Sequence, residues 1–155
     1  MASVRSFIVR HISRYYMKRS QMDSDPLYAR QAFDARMTKL PAARAVRHVS
    51  EQIDGVDCEW LIPDGCEDAP IIYYLHGGAY IMGSPQTHRR VVSFVAKAAG
   101  MRAILPDYRL APEHRYPAQL EDSLRVWRAL LKGGLDPANV AIAGDSAGGN
   151  LSVAT

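Results

Sequence analysis

Short runs of apolar or alternating residues dominate the chain from residue 46 onward, and they predict β-strands. Runs of four to eight residues with this character, bounded by turn residues, are typical of strands. Five such runs follow one another along the chain: VRHVSEQI, VDCEWLIP, IIYYL, RAILP and VAIAG.

A helical pattern lies between the last two of these runs. Pro117 suits a first helical turn, the acidic Glu121 and Asp122 come early, and Gly133 ends the pattern. Strands with helices between the later ones predict an α/β fold whose parallel sheet is covered on both faces. The apolar positions of the helix recur at spacings of four, three and four and predict one buried stripe: Leu120, Leu124, Trp127 and Leu131.

The first forty-odd residues predict a helical unit of their own. A stretch from about Leu27 to Thr38 reads as a helix that ends before Pro41. The segment before it carries basic side chains and no acidic ones in its first 20 residues. An amphipathic basic helix packed on the rest of the protein is the preferred interpretation, and a membrane-surface anchor, a transit peptide or a nucleic-acid arm are the alternatives. Its apolar positions are Val4, Phe7, Ile8, His11, Ile12 and Tyr15.

Composition limits the class of protein. With 155 residues, 48% of them hydrophobic, and a net charge of +3, the chain suits one soluble domain. No run approaches the roughly 20 apolar residues that span a bilayer, and no signal peptide is evident. Cys58 and Cys66 lack metal-binding spacing and are expected to be ordinary thiols. We therefore expect a cytoplasmic protein without a metal.

The stretch Gly144-Asp145-Ser146-Ala147-Gly148 carries the first chemical signal. It follows an apolar strand and opens a helix-like segment, as a nucleophile elbow does. A serine on such a strained turn needs small residues two positions before and after it, and the Ala147 N–H could face an oxyanion. The alternative is an ordinary glycine-rich turn.

The stretch His76-Gly77-Gly78-Ala79 carries the second signal, because it directly follows the apolar strand IIYYL. A loop with few side chains can turn its amides toward the same pocket. A simple turn is the alternative, but the two motifs together are far less expected by chance.

Three motifs in this order, HGGAY, DYRLAPEHRYPA and GDSAGGNL, resemble the hormone-sensitive-lipase-like branch of the α/β-hydrolases. This family consists of carboxylesterases that mostly take small acyl esters and need no cofactor. The resemblance implies that Ser146 is the nucleophile and that residues 1–45 form a helical cap segment, with residues 46–155 as the N-terminal half of the core. It implies an oxyanion-hole region made up of Gly77, Gly78, Ala79 and Ala147.

Other motif residues are interpreted as structural. His76 belongs to the oxyanion loop, and Asp145 projects away from the serine. The segment from Asp107 to Pro117 is expected to brace the loop before the following helix through buried polar contacts. One departure from the family is Ala79, where a third glycine is frequent.

The larger departure concerns the catalytic triad. In this fold the order along the chain is Ser, then Asp or Glu, then His, whereas all five histidines precede Ser146. We therefore expect the acid and the base beyond Thr155, and an isolated chain that is nearly inert. A non-catalytic truncated product or binding module is the alternative. Neither nucleic acid nor stable membrane insertion is expected, and the oligomeric state stays open.

Two further expectations follow. A trypsin-like protease has a similar serine motif, with His76, Asp107 and Ser146 in the right order, but the helical pattern after Pro117 argues against its paired barrels. A half-sheet that ends at residues 140–143 would leave an apolar strand unpaired on one side, which predicts aggregation or a partner.

Overall fold

A computed structural model describes residues 25–155, so the predicted basic helix lies outside the described residues. The five predicted strands are confirmed, as is the helix after residue 25. The helices are α1 (Pro26–Met37), α2 (Pro85–Ala99), α3 (Ala118–Lys132) and α4 (Ala147–Ala154), and the strands are β1 (Val46–Ile53), β2 (Val56–Pro63), β3 (Ile71–Leu75), β4 (Arg102–Pro106) and β5 (Val140–Gly144).

The strands form one sheet in the order β1-β2-β4-β3-β5. Strands β4, β3 and β5 run parallel, but β1 and β2 pair antiparallel with each other, and β2 pairs antiparallel with β4. Four of the five strands therefore run in the same direction, which confirms the mostly parallel sheet, and β2 is the one exception among the described strands. The reason is local: Asp54 and Gly55, with φ of 48° and 81°, make a two-residue hairpin turn between β1 and β2. The Asp-Gly pair was a readable signal for this hairpin.

Helices cover the described sheet on both faces, as predicted. Val92 of α2 packs against Ile72 on one face, and Val126 of α3 packs with Tyr73 on the other. The parallel strands and these helices are incompatible with the trypsin-like alternative. Helix α2 was not predicted from the sequence, although Ser84 forms a capping box there with Thr87.

The predicted apolar stripe of α3 is only partly confirmed, because Leu120 and Trp127 pack against the core but no residue of the stripe is fully buried. Leu131 is exposed and Leu120 only partly buried. The helix is rotated because its polar groups have partners beneath it: the Tyr73 hydroxyl donates to the Ser123 carbonyl at 2.8 Å, and Arg109 binds Asp122. The buried positions are Ala118, Gln119, Asp122, Ser123 and Val126.

Strand β5 pairs only with β3 within residues 25–155, so its other edge is free there. Ile142 on this strand is 37% exposed. An apolar strand with unpaired N–H and C=O groups invites pairing with a second chain, and lysine on such an edge opposes it.

No helix between residues 25 and 155 combines the length and apolarity needed to cross a bilayer.

We expect Ile142→Lys to weaken self-association of the chain, because a charge on the free edge disfavours pairing. Sedimentation velocity over a concentration series measures this. Leu40→Lys is the control, since Leu40 is 42% exposed but lies outside the sheet. If both variants sediment like the unaltered chain, the β5 edge is not the surface of association.

Candidate active site

A sharp turn connects β5 to α4 at Ser146. This residue has φ 50° and ψ −118°, a backbone conformation that residues other than glycine rarely adopt. Ser146 is exposed, and its side chain makes no capping hydrogen bond to α4. The hydroxyl is therefore not consumed by the helix that it precedes.

Two glycines allow this turn to pass close to the end of β3. A Cβ at Gly148 would overlap the backbone oxygens of Leu75 and His76, and a Cβ at Gly144 would overlap the Gly148 carbonyl. Both positions therefore require glycine for steric reasons, independent of any chemistry at the serine.

The glycine loop after β3 lies against this turn. The Gly77 N–H donates to Asp145 Oδ1 at 2.8 Å, and the Tyr80 hydroxyl lies 2.9 Å from the Ala147 carbonyl oxygen. Asp145 thus directs its carboxylate to the loop. The structure brings the two sequence motifs together through contacts on both sides of Ser146.

One amide of the predicted oxyanion-hole region already has a hydrogen-bond partner. The Gly77 amide donates to Asp145, so within the predicted oxyanion-hole region Gly77 is not a free donor. The amides of Gly78, Ala79 and Ala147 remain as candidates. Ala79 has φ 55°, a conformation that costs alanine more than glycine. A glycine at this position would adopt the same conformation without that cost.

His76 is a structural residue in this arrangement. Its ring is fully buried and stacks on Tyr108 with centroids 4.1 Å apart and planes at 7°. The Tyr108 hydroxyl donates to the His76 carbonyl at 2.5 Å. Burial lowers the pKa of His76 to about 4, so the ring is neutral near pH 7 and supports the loop from below.

The motif from Asp107 to Pro117 makes the bracing contacts that the sequence predicts. Arg109 donates from Nε and from a terminal nitrogen to the two oxygens of Asp122, both at 2.8 Å. Its backbone N–H also donates to Asp122 at 3.0 Å. Because Asp122 is 2% exposed, this ion pair joins the loop to α3 at a buried position.

Arg30 of α1 is a positioning residue that sequence reasoning missed. Its guanidinium donates to the carbonyls of Ile81 and Ala111 at 2.7 and 2.6 Å and to both carboxylate oxygens of Glu113 at 2.8 and 2.9 Å. One side chain thus ties α1 to two loops beside the glycine loop. Nothing in the sequence distinguishes Arg30 from the other basic residues of that region.

The two cysteines are free thiols. Burial, followed by nearby acidic groups, raises the pKa of Cys58 to about 12, so this thiol stays protonated and unreactive near neutral pH. Residues 25–155 hold no group of three or more side chains arranged to bind a metal ion.

Comparison with known proteins defines the family. A model of the alpha/beta hydrolase fold matches residues 72–155, which is more than half of the chain. The chain belongs to the alpha/beta-hydrolase family. This alpha/beta hydrolase is 45% identical to an acetyl-hydrolase of Streptomyces hygroscopicus over 96 residues, which cover 62% of this chain and 32% of that protein. It is 35% identical to an esterase of Acinetobacter venetianus, covering 87% of this chain and 44% of that one.

Solved structures agree with this assignment. A crystal structure of an esterase from the bacterial hormone-sensitive lipase family superposes with a TM-score of 0.84 at 36% identity, covering 99% of this chain and 51% of that one. The resemblance to the hormone-sensitive-lipase-like branch is therefore confirmed. This alpha/beta hydrolase spans about half or less of the length of the relatives that it matches.

Two buried groups of this alpha/beta hydrolase should affect its stability in opposite directions on acidification. The native pKa of His76 is about 4, below its ordinary 6.5, so the unfolded chain binds more protons between these values. The free energy of unfolding should then fall as the pH drops through this window, by up to about 1.4 kcal/mol per pH unit. Burial and the nearby Asp57, Asp34 and Glu59 raise the pKa of Asp107 to about 6, which gives the reverse slope.

We therefore expect a weak pH dependence between pH 6 and 4 in the unaltered chain and a steeper acid loss in Asp107→Asn. The substitution removes the protonation of Asp107 that offsets the cost of charging His76. Urea unfolding at several pH values measures the slopes. Equal slopes for the two proteins would contradict the assigned shift at Asp107.

Proposed function

We propose that the chain provides the nucleophile and the oxyanion hole of a serine carboxylesterase that hydrolyses small acyl esters. The observation that carries this proposal is the exposed Ser146 at φ 50°, beside a glycine loop held to the same turn by Asp145 and Ala147. Named esterases and acetyl-hydrolases among its relatives support the reaction class.

In the proposed reaction, Ser146 Oγ attacks the ester carbonyl carbon and forms a tetrahedral intermediate. Backbone N–H groups among Gly78, Ala79 and Ala147 donate to its oxyanion, and the alcohol then leaves. Water then attacks the acyl-serine through a second tetrahedral intermediate, and Ser146 Oγ is the leaving group. A histidine, oriented by an acidic residue, takes the serine proton and passes it to the leaving alcohol.

We propose that this histidine and acid come from polypeptide beyond Thr155. The four described histidines have other surroundings: His76 contacts Tyr108, His88 lies beside Asp145, His48 lies 3.9 Å from Glu59, and His114 is exposed. None of the contacts among residues 25–155 joins a histidine ring to Ser146 Oγ. Without that histidine and acid, the Ser146 hydroxyl of the 155-residue chain would be a poor nucleophile.

A fluorophosphonate probe tests the nucleophile and the missing base together. A longer polypeptide that continues past Thr155 to the length of the relatives should be labelled at Ser146, and Ser146→Ala should abolish labelling. The 155-residue chain should react far more slowly, because no base activates its serine. Equal labelling of both lengths would refute the proposed source of the base, and labelling that survives Ser146→Ala would refute the nucleophile. A long form that never labels would favour the non-catalytic alternative.

The remaining assignments are part of the same proposal. We propose residues 1–45 as a cap segment and residues 46–155 as half of the core, with a small-molecule ester as the substrate rather than nucleic acid. The two free thiols fit a reducing compartment such as the cytoplasm.

A further inference from the structure

His88 is a buried histidine that the proposed reaction does not use. It lies in the first turn of α2 and is 8% exposed. Its ring centroid is 5.3 Å from that of His76 and 6.5 Å from that of Phe33. The ring therefore lies between the cap-side helix α1 and the base of the glycine loop.

Both ring nitrogens of His88 have polar neighbours. Nε2 lies 3.5 Å from Asp145 Oδ1, and Nδ1 lies 2.9 Å from Thr87 Oγ1 and 3.3 Å from the Ser84 carbonyl oxygen. The same Asp145 oxygen accepts from the Gly77 N–H at 2.8 Å and from the Tyr74 hydroxyl at 3.0 Å. Groups from β3, the glycine loop and α2 thus converge on one carboxylate oxygen.

The contacts of the two ring nitrogens favour different tautomers: the Ser84 carbonyl oxygen favours a proton on Nδ1, and the charged carboxylate of Asp145 favours a proton on Nε2. A carboxylate only accepts hydrogen bonds, so Nε2 must carry a proton to bind Asp145. Nδ1 can then accept from the Thr87 hydroxyl, which itself accepts from the Ser84 N–H at 2.9 Å. Thr87 Oγ1 is also 2.9 Å from the Ser84 carbonyl oxygen. Donation to that oxygen instead would favour a proton on Nδ1 and leave Nε2 facing Asp145 without a hydrogen.

We propose that His88 is a positioning residue of the oxyanion loop, with the proton on Nε2 directed at the Asp145 carboxylate. Thr87 orients the ring, the ring holds the Asp145 carboxylate, and the carboxylate holds the Gly77 amide. With Gly77 fixed, the following amides of Gly78 and Ala79 keep a constant direction. The catalytic meaning of this relay rests on the proposed function, but its geometry is measurable without any substrate.

Nitrogen-15 NMR of the 155-residue chain near pH 7.5 tests the tautomer directly. Long-range proton–nitrogen correlations should show a protonated Nε2 and an unprotonated Nδ1 for His88, because the two nitrogens have distinct shifts. An Nδ1–H tautomer would overturn the proposal. No ester is hydrolysed in this measurement, so it stands apart from failure of the esterase assignment.

Hydrogen exchange of the Gly77 amide tests the relay itself. His88→Leu removes the donor and should speed this exchange by about tenfold, the equivalent of one lost hydrogen bond. His88→Gln keeps an N–H donor at a similar reach and should restore slow exchange. Asp145→Ala is the positive control, because it removes the acceptor of the Gly77 amide.

Unchanged Gly77 exchange in His88→Leu, with faster exchange in Asp145→Ala, would overturn the proposal. So would fast exchange in His88→Gln equal to that in His88→Leu. The paired amides of β3 and β5 report the fold in each variant. If these amides also exchange faster in His88→Leu, the substitution has destabilised the whole fold. The proposal is then tested by the tautomer of His88 in the unaltered chain alone.

Discussion

Gly148→Ala is expected to lower the free energy of unfolding by about 3 kcal/mol, the upper end of the typical range for overpacking. The new Cβ would overlap the backbone oxygens of Leu75 and His76. Backbone oxygens at the end of β3 cannot move aside without disturbing the pairing of β3 with β5. Urea unfolding followed by circular dichroism measures the loss.

Gly149→Ala is the matched control, one position along the same helix. Its Cβ would come no closer than 3.3 Å to the Gly144 oxygen, and alanine favours helix by up to about 1 kcal/mol over glycine. We expect its unfolding midpoint to stay near that of the unaltered chain. Similar losses in both variants would show that the steric account of Gly148 is wrong.

Arg109→Leu is expected to lower the free energy of unfolding by about 3 kcal/mol near pH 7, the lower end for breaking a buried ion pair. Asp122 is 2% exposed, whereas the Arg109 side chain is 37% exposed. The substitution leaves the buried Asp122 carboxylate without its bidentate hydrogen bonds from Arg109. Arg128→Leu, on the exposed side of α3, is the control and should change stability by less than about 0.5 kcal/mol.

Acidification provides a second test of this pair. Burial alone would raise the pKa of Asp122, but hydrogen bonds from Arg109 hold it below its ordinary 3.8. A carboxyl with a lowered native pKa stabilises the fold above its ordinary pKa and loses that contribution as the pH falls through the native value. The gap in stability between Arg109→Leu and the unaltered chain should therefore shrink below about pH 4. A gap independent of pH would contradict the ion-pair account.

Local sequence signals predicted the strands because their causes are local. Each run from VRHVSEQI to VAIAG has turn residues at its ends, and the strand bounds in the structure coincide with the runs. The side of α3 that faces the sheet could not be found in this way. It depends on Tyr73 and Arg109, which reach Ser123 and Asp122 from 50 and 13 residues away.

The candidate site divides along the same line. The turn at Ser146 and the glycine loop are contiguous motifs, and their residue types follow from the backbone that each must adopt. The contacts that join them are not contiguous: Gly77 to Asp145 spans 68 residues, and Arg30 to Glu113 spans 83. A single sequence carries no signal for such pairs, since an aspartate or arginine looks the same whether it holds a loop or faces solvent.

The Arg30 guanidinium makes α1 and the two loops that it contacts mechanically dependent on one another. Shifting the helix outward must either break several charge-assisted hydrogen bonds at once or carry the chain around Ile81 and Ala111 along. Ile81 in turn donates its N–H to the Gly78 carbonyl at 3.0 Å. A molecule that displaces this helix would therefore also displace the peptide units of the glycine loop beside Ser146.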